Sequence, residues 1–312
     1  QPLRFAMQVE VAPIDYSGRS RAIVLMVIGS ISISFGALVI RLIQEADAFQ
    51  INFYRSIFFI LGTFTILLFR HRRSSFTKIK EVGVFGLVAG LLLALAGISF
   101  LQAITNTTVA ATTFTLSVIP FLTAGLAWLI LKESLNRKTI YTMIFAALGI
   151  FIMIMDSLDS GSLYGNIMAV TCAVFFASYA ILVRFKRNIE MLPALMISGF
   201  IIMALVLVAY PGDMDVPLRD LFLCFLYGGI LSTCVNVTFI LASKFLFAAE
   251  LTLFMLLEFA LSPIWVWLFV SETPTLMTII GGMVVILAVG YRSLAELTTY
   301  SKNRRKIPMN PL

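Results

Sequence analysis

The stretch LLEFALSPIWVWLFVSE (residues 256–272) sets one carboxylic acid, Glu258, inside otherwise oily sequence. Glu258 stands about nine residues into an apolar run, which at ~1.5 Å per residue is roughly 13 Å deep. An ionisable group at that depth costs at least about 2.5–3.5 kcal/mol on insertion scales, and is tolerated when it faces a wet cavity, finds a partner or is protonated. Two roles stay open: a cavity-facing group that binds substrate or a proton, or a hydrogen-bonded acid joining two helices. Ser262 and Trp265 follow at i+4 and i+7 and share its helical face.

Other groups could work beside it. Arg55 lies a turn or so inside the second apolar run. From there a guanidinium can snorkel to the interface, or present its fork to a carboxylate. Trp265, Tyr54 and Tyr179 could supply an aromatic wall for a cation. Trp267 lies on another face and reads as core or lipid contact. Gln102 in the third run and Asn236 in the eighth are polar groups at positions that read as equivalent; either lines a cavity or bonds a neighbouring helix. The fourth run carries a stripe of Thr112, Thr115, Ile119 and Thr123, polar but uncharged. Glu133 and Glu272 sit at run boundaries, where they cap a helix or pair with bases.

What is missing narrows the chemistry. Cys172, Cys224 and Cys234 all fall in apolar runs, an odd number with no metal spacing and no disulfide framework. The single histidine, His71, lies in a basic loop. The sequence therefore presents no acid–base or metal cluster of the kind an enzyme needs, and neither a cofactor nor a metal is expected.

These groups need elements to hold them. Of 312 residues, 60% are hydrophobic and 12% charged, with a mean hydropathy of +0.99. Soluble domains carry about 25% charge, so the chain reads as an all-α integral membrane protein. Ten runs approach the ~20 residues a crossing requires: 22–43, 51–69, 82–104, 109–131, 139–155, 163–183, 193–210, 221–243, 249–270 and 275–292. Barrel strands would alternate over about ten residues instead. Pro120 and Pro263 remove mid-helix hydrogen bonds, so kinks are expected in the fourth and ninth helices. GLVAG (86–90) has the small-xxx-small spacing of close helix contact.

The net charge of +7 concerns orientation rather than nucleic acid. With the N-terminus cytoplasmic, twenty Lys and Arg residues fall in inside segments, against only Arg41 and Arg219 outside. That asymmetry predicts two cytoplasmic termini.

The chain also repeats itself. Glu272 and Glu133 are 139 positions apart, as are Trp267 and Trp128, and Leu261 and Leu122. At the same offset TFILA (238–242) falls on SFLQA (99–103) and Gly229 on Gly90. SISFGALVIR (32–41) matches FFASYAILVR (175–184) more weakly at a slightly different offset. Five helices per unit is odd, so the second copy must enter from the opposite side. Inverted repeats of this kind are a transporter architecture, with the site near the midplane where the repeats meet. The expected organisation is a cytoplasmic tail (1–21), two inverted five-helix repeats (22–156 and 157–292) making ten transmembrane helices, and a basic tail (293–312).

At AWLILKESL (127–135), VWLFVSETPT (266–275), the LLE and SPIWVWL of the ninth run, and FYR (53–55), the chain resembles the EamA-type family of the drug/metabolite transporter superfamily. The resemblance spans residues 22–292. It implies ten helices in two repeats and export or exchange of small metabolites such as amino acids. One departure is that Phe259 stands where the family often has Pro directly after the acid, with Pro263 one turn later. The kink is accordingly expected further on.

The expected function is a secondary transporter moving a small polar metabolite (an amino acid, amine or related zwitterion or cation) by alternating access. A channel or facilitative pore is the alternative. The expected site comprises Glu258, Ser262, Trp265, Tyr54, Arg55, Gln102, Thr115, Tyr179 and Asn236. The expected partners are a small-molecule substrate, protons as a candidate coupling ion, and the lipid bilayer, without nucleic acid. The expected protein is a monomer or homodimer in the plasma (bacterial inner) membrane.

Overall fold

A computed structural model describes residues 16–72, 75–133, 137–154, 163–210, 212–270, 276–277, 279–281 and 283–291. Glu272, Asp156, Asp159 and most of both tails lie outside these residues. Among the described residues every regular element is a helix, in order α1 Tyr16–Ser34, α2 Gly36–Leu42, α3 Ala48–His71, α4 Ser75–Glu81, α5 Gly83–Asn106, α6 Val109–Leu116 and α7 Ile119–Leu126. Then follow α8 Arg137–Ile154, α9 Leu163–Phe185, α10 Leu192–Ala209, α11 Leu218–Cys224, α12 Thr233–Ala242, α13 Ala248–Phe254 and α14 Leu256–Val270. A last apolar helix, α15, covers Ile279–Tyr291. Two stretches are π-helical: Ala127–Leu131 after α7, and Phe225–Ser232 between α11 and α12.

Helix satisfies every backbone donor and acceptor within one segment, which lipid demands. Among the described residues seven helical stretches are long and apolar enough to cross a membrane, and Ile119–Leu131 and Ile279–Tyr291 are shorter apolar helices. Phe69, Trp128 and Val208 face outward on this surface, where a lipid environment removes the cost that water would impose. Trp267 is also exposed, at 40%. Asp47 starts α3 with a reciprocal cap: its carboxylate accepts from the backbone of Phe49 and Gln50, and the Gln50 side chain accepts from the Asp47 N–H.

Long-range contacts define two ends. At one, Arg19 bonds Glu250 at 2.6 Å, Arg184 bonds Glu133 at 2.8 Å, and His71 meets Glu190 at 3.2 Å. This is the basic end. At the other, Asp220 accepts from the backbone of Glu45 at 2.9 Å and Ala46 at 3.0 Å, and Gln50 and Tyr54 donate to carbonyls of Asp213 and Met214. The start of α1 and the end of α3 lie at the basic end, while the end of α2 and the start of α3 lie at the far end. These helices therefore run alternately up and down.

The two halves interlock. α1 packs on α12 as α9 packs on α5. α3 packs on the π-helical 225–232 stretch as α10 packs on α5, and α1 on α14 as α9 on α7. Each contact thus has a counterpart with the halves exchanged.

Three of the long helices are broken. The first breaks at Phe35, where Gly36 opens α2. The fourth breaks at Ser117 and Val118, just before Pro120 in the first turn of α7. The ninth breaks at Met255, and Pro263 lies inside the continuous helix α14. This differs from the expected kink at Pro263. The discontinuity instead comes one turn before Glu258, whose N–H reaches back only three residues to the Met255 carbonyl at 3.0 Å. At offset 139 Met255 falls on Leu116, the last residue of α6, so the two breaks lie within two residues of a common register.

Candidate functional site

A cavity of about 120 Å³ opens where these helices meet, and Arg55, Cys172, Ser198, Tyr227, Asn236 and Glu258 are among its lining residues. The rest of the wall is mostly apolar. Sixteen of the twenty lining residues fall into register pairs between the halves. At offset 139 Leu93 pairs with Ser232, Ala96 with Val235, Gly97 with Asn236, Leu116 with Met255 and Ile119 with Glu258. At offset 143, that of the weaker first-helix match, Ile33 pairs with Phe176, Arg55 with Ser198 and Phe59 with Ile202. The second pattern ties the second run to the seventh, where sequence identity alone gives no match.

Arg55 is held by neutral groups. Its Nε and Nη2 both donate to Asn52 Oδ1, at 3.0 and 2.9 Å, and its guanidinium lies 5.5 Å from the Tyr227 ring centre. Two glycines make the room: a Cβ on Gly97 would stand 2.8 Å from Arg55 Nη2, and one on Gly228 would stand 2.1 Å from the Arg55 carbonyl oxygen. Gly228 and Tyr227 belong to the π-helical stretch, and Thr233 Oγ1 donates to the Gly228 carbonyl at 2.9 Å. A π turn inserts a residue and re-aims side chains, a geometry frequent at functional sites.

Glu258 reaches the same cavity from the first turn of α14 and is 9% exposed. Among the described residues its carboxylate makes neither a hydrogen bond nor an ion pair. The site therefore holds one base and one acid, both buried, that do not pair with each other. Buried charges are normally paired, so the arrangement leaves two poles for a ligand to complete.

Apart from Asn236, the other expected site residues lie around this cavity rather than in its lining. Ser262 Oγ donates to the carbonyls of Ser34 and Glu258, at 3.0 and 2.8 Å. Trp265 donates from Nε1 to Ser34 Oγ at 2.8 Å and stacks on Phe35 with ring centres 4.4 Å apart. Together they fasten α14 to the break in the first helix. Tyr54 pins the far-end loop through Met214. Gln102 is met by Asn106 and Tyr164 near the end of α5, and Thr115 bonds its own helix at the Ala111 carbonyl. Tyr179 is fully buried against Phe176 and Phe239, and among the described residues its hydroxyl has no hydrogen-bond partner. Asn236 lines the cavity, but its register partner is Gly97; Gln102 falls on Leu241, which corrects the expected equivalence of Gln102 and Asn236.

Tyr227, Ser198, Ser232 and Cys172 line the cavity without having been singled out. Ser232 was findable as a polar residue in the 139-residue register that matches its helix to α5, whereas Ser198 was not, because the second and seventh runs show no match in sequence. Tyr227 carried no such signal.

Helices able to cross a bilayer, wrapped around a buried cavity that holds one acidic and one basic side chain, define an integral membrane protein. The profile of the EamA-like transporter family matches residues 20–155 and again residues 163–291. The chain therefore belongs to that family, one of transporters rather than enzymes. It is 25% identical over 163 residues to "Solute carrier family 35 member G1" of Homo sapiens, covering 48% of this chain and 44% of that protein. The match thus spans less than half of that relative's length. A solved crystal structure of another protein has a TM-score of 0.72 with 14% identity, covering 89% of this chain and 99% of that one. It shares the fold.

Proposed function

We propose that this protein is a secondary transporter carrying a small zwitterion by alternating access, through ten helices arranged as two inverted five-helix repeats. The observation that carries the reading is that Arg55 and Glu258 line one cavity and leave each other unpaired. A ligand with a carboxylate and an ammonium group completes both charges at once, whereas an amine or an acid completes one. The cavity, at about 120 Å³, is small and selects for a compact ligand. The apolar wall favours a ligand with a small apolar side chain. Protons are the competing cation at Glu258.

The inversion draws support from the fold. α1 starts at the basic end, and its register counterpart α9 starts at the far end, beside Thr107 and Gln102. Eight register pairs lining one cavity are what two related halves around a shared site would produce. With the basic end cytoplasmic, as the loop charges favour, the filled core on that side separates the cavity from the cytoplasm, and export or exchange is the direction the family resemblance implies.

A pore is the second reading. It requires a continuous wet path, and between the cavity and the basic end the core is filled by Tyr179, Phe239, Leu251 and Phe254. Counterflow in proteoliposomes separates the two. Saturable uptake accelerated by trans substrate supports the carrier; unsaturable flux with conductance overturns it.

A further inference from the structure

We infer that Asn52 determines which ligand charges the cavity accepts, by orienting the Arg55 guanidinium through a neutral oxygen without cancelling its charge. Asn52 lies one turn before Arg55 on α3 and is fully buried. Its Oδ1 takes two donors of one guanidinium edge. Those donors also fix the amide orientation, since the NH2 group could not face them. Among the described residues no carboxylate pairs with Arg55, although a buried guanidinium ordinarily takes one. An aspartate at position 52 would offer the same geometry and cancel the charge. The asparagine leaves a fixed cation in the cavity lining, with further donors available to a ligand carboxylate.

Asn52 touches neither cavity nor ligand and is a positioning residue. Its role has a charge consequence that a purely structural role would lack. Asn52→Asp pairs Arg55 internally and leaves Glu258 as the one uncompensated charge of the pair, so the cavity should turn from zwitterion-accepting to cation-accepting. Asn52→Ala removes the acceptor but keeps the positive charge, so orientation is lost and charge preference is kept. The ligand identity rests on the zwitterion reading above; the electrostatic consequence does not.

Cys172 lines the same cavity and gives a readout that needs no substrate. In a background with Cys224→Ala and Cys234→Ala, Cys172 is labelled with 2-aminoethyl methanethiosulfonate, a cation, and 2-sulfonatoethyl methanethiosulfonate, an anion. One unit of charge removed several ångströms away, at an effective dielectric near 20, changes relative rates by at least about tenfold. Asn52→Asp should raise the cation-to-anion rate ratio by that factor. Arg55→Gln should do the same and serves if the aspartate variant does not fold, while Asn52→Ala should leave the ratio within about threefold. In thermal-shift titrations Asn52→Asp should favour 3-methylbutylamine over L-leucine at least about tenfold more than wild type does. An unchanged labelling ratio in Asn52→Asp overturns the inference. A shifted ratio with no leucine preference in wild type supports it and overturns the zwitterion reading instead.

Discussion

Ile119 and Glu258 occupy the same register in the two halves and line the same cavity, one apolar and one acidic. Arg55 and Ser198 stand in the same relation. Repetition builds a shell of matched shape, and a single substitution on each pair places a charge on one wall only. The two ionisable groups thus sit asymmetrically in a nearly symmetric container, and among the described residues neither pairs with an oppositely charged side chain.

An unpaired buried acid opposes folding and serves the ligand. Glu258→Gln should therefore keep or raise the melting temperature in detergent while lowering zwitterion transport by at least about a hundredfold. Placing a charge at such depth costs at least about 2.5–3.5 kcal/mol on insertion scales, which bounds the stability gained by removing it. Paired measurement of melting and counterflow decides the point.

Gly228 and Gly125 should respond oppositely to alanine. A Cβ at Gly228 would strike the Arg55 carbonyl at 2.1 Å, whereas nothing lies within 4 Å of one at Gly125. Gly228→Ala should cost about 1–3 kcal/mol through overpacking and weaken substrate binding by moving Arg55. Gly125→Ala should be neutral or stabilise by about 0.5–1 kcal/mol. Denaturation of both variants checks the contrast.

How much was legible beforehand follows from what each residue type announces. Glu258 and Arg55 stand out because a charge in an apolar run is expensive, so composition alone marks them. Tyr227 does not, since an aromatic residue in an oily helix is ordinary and its cavity-facing aim depends on a π-helical stretch that the helical period does not foretell. Ser262 and Trp265 share the face of Glu258, as i+4 and i+7 require, yet the break at Phe35 brings Ser34 up to meet them, and they fasten helices at the cavity's edge. Ser198 was hidden because the second and seventh runs diverged in sequence while keeping their register.

Tyr179 lies in the filled half of the molecule, and among the described residues its buried hydroxyl has no hydrogen-bond partner. Removing that group relieves a desolvation cost of about 1–3 kcal/mol. Tyr179→Phe should be as stable as wild type or more so, with transport KM unchanged. A rise in KM would bring this side chain into contact with substrate.

The basic end is closed by ion pairs between the halves. Arg184 bonds Glu133 and the Ser243 carbonyl, and the Glu133 carboxylate also accepts from the Ala248 N–H. Removing one partner of a buried pair costs about 3–5 kcal/mol. Glu133→Ala should shift the population toward an opened basic end, read as faster labelling of Cys172 from that side. Unchanged access would mean that this contact does not seal the end.

At the far end the neighbouring Asp47 carboxylate, as a hydrogen-bond acceptor and a negative charge, pushes the Tyr210 phenol above its ordinary value. A folded-state pKa raised above the unfolded one gives stability that is present below the unfolded value and lost as pH rises through the folded one. The melting difference between wild type and Tyr210→Phe should therefore shrink at strongly alkaline pH. A constant difference would detach the phenol from this role.

The most direct measurement is calorimetric titration of the purified wild-type protein with L-leucine, 3-methylbutylamine and 4-methylpentanoate, which share a carbon skeleton and differ in charge. Two complementary poles predict that the zwitterion binds at least about a hundredfold more tightly than either the amine or the acid. Equal binding of leucine and the amine, or of leucine and the acid, would contradict a cavity built on both Arg55 and Glu258.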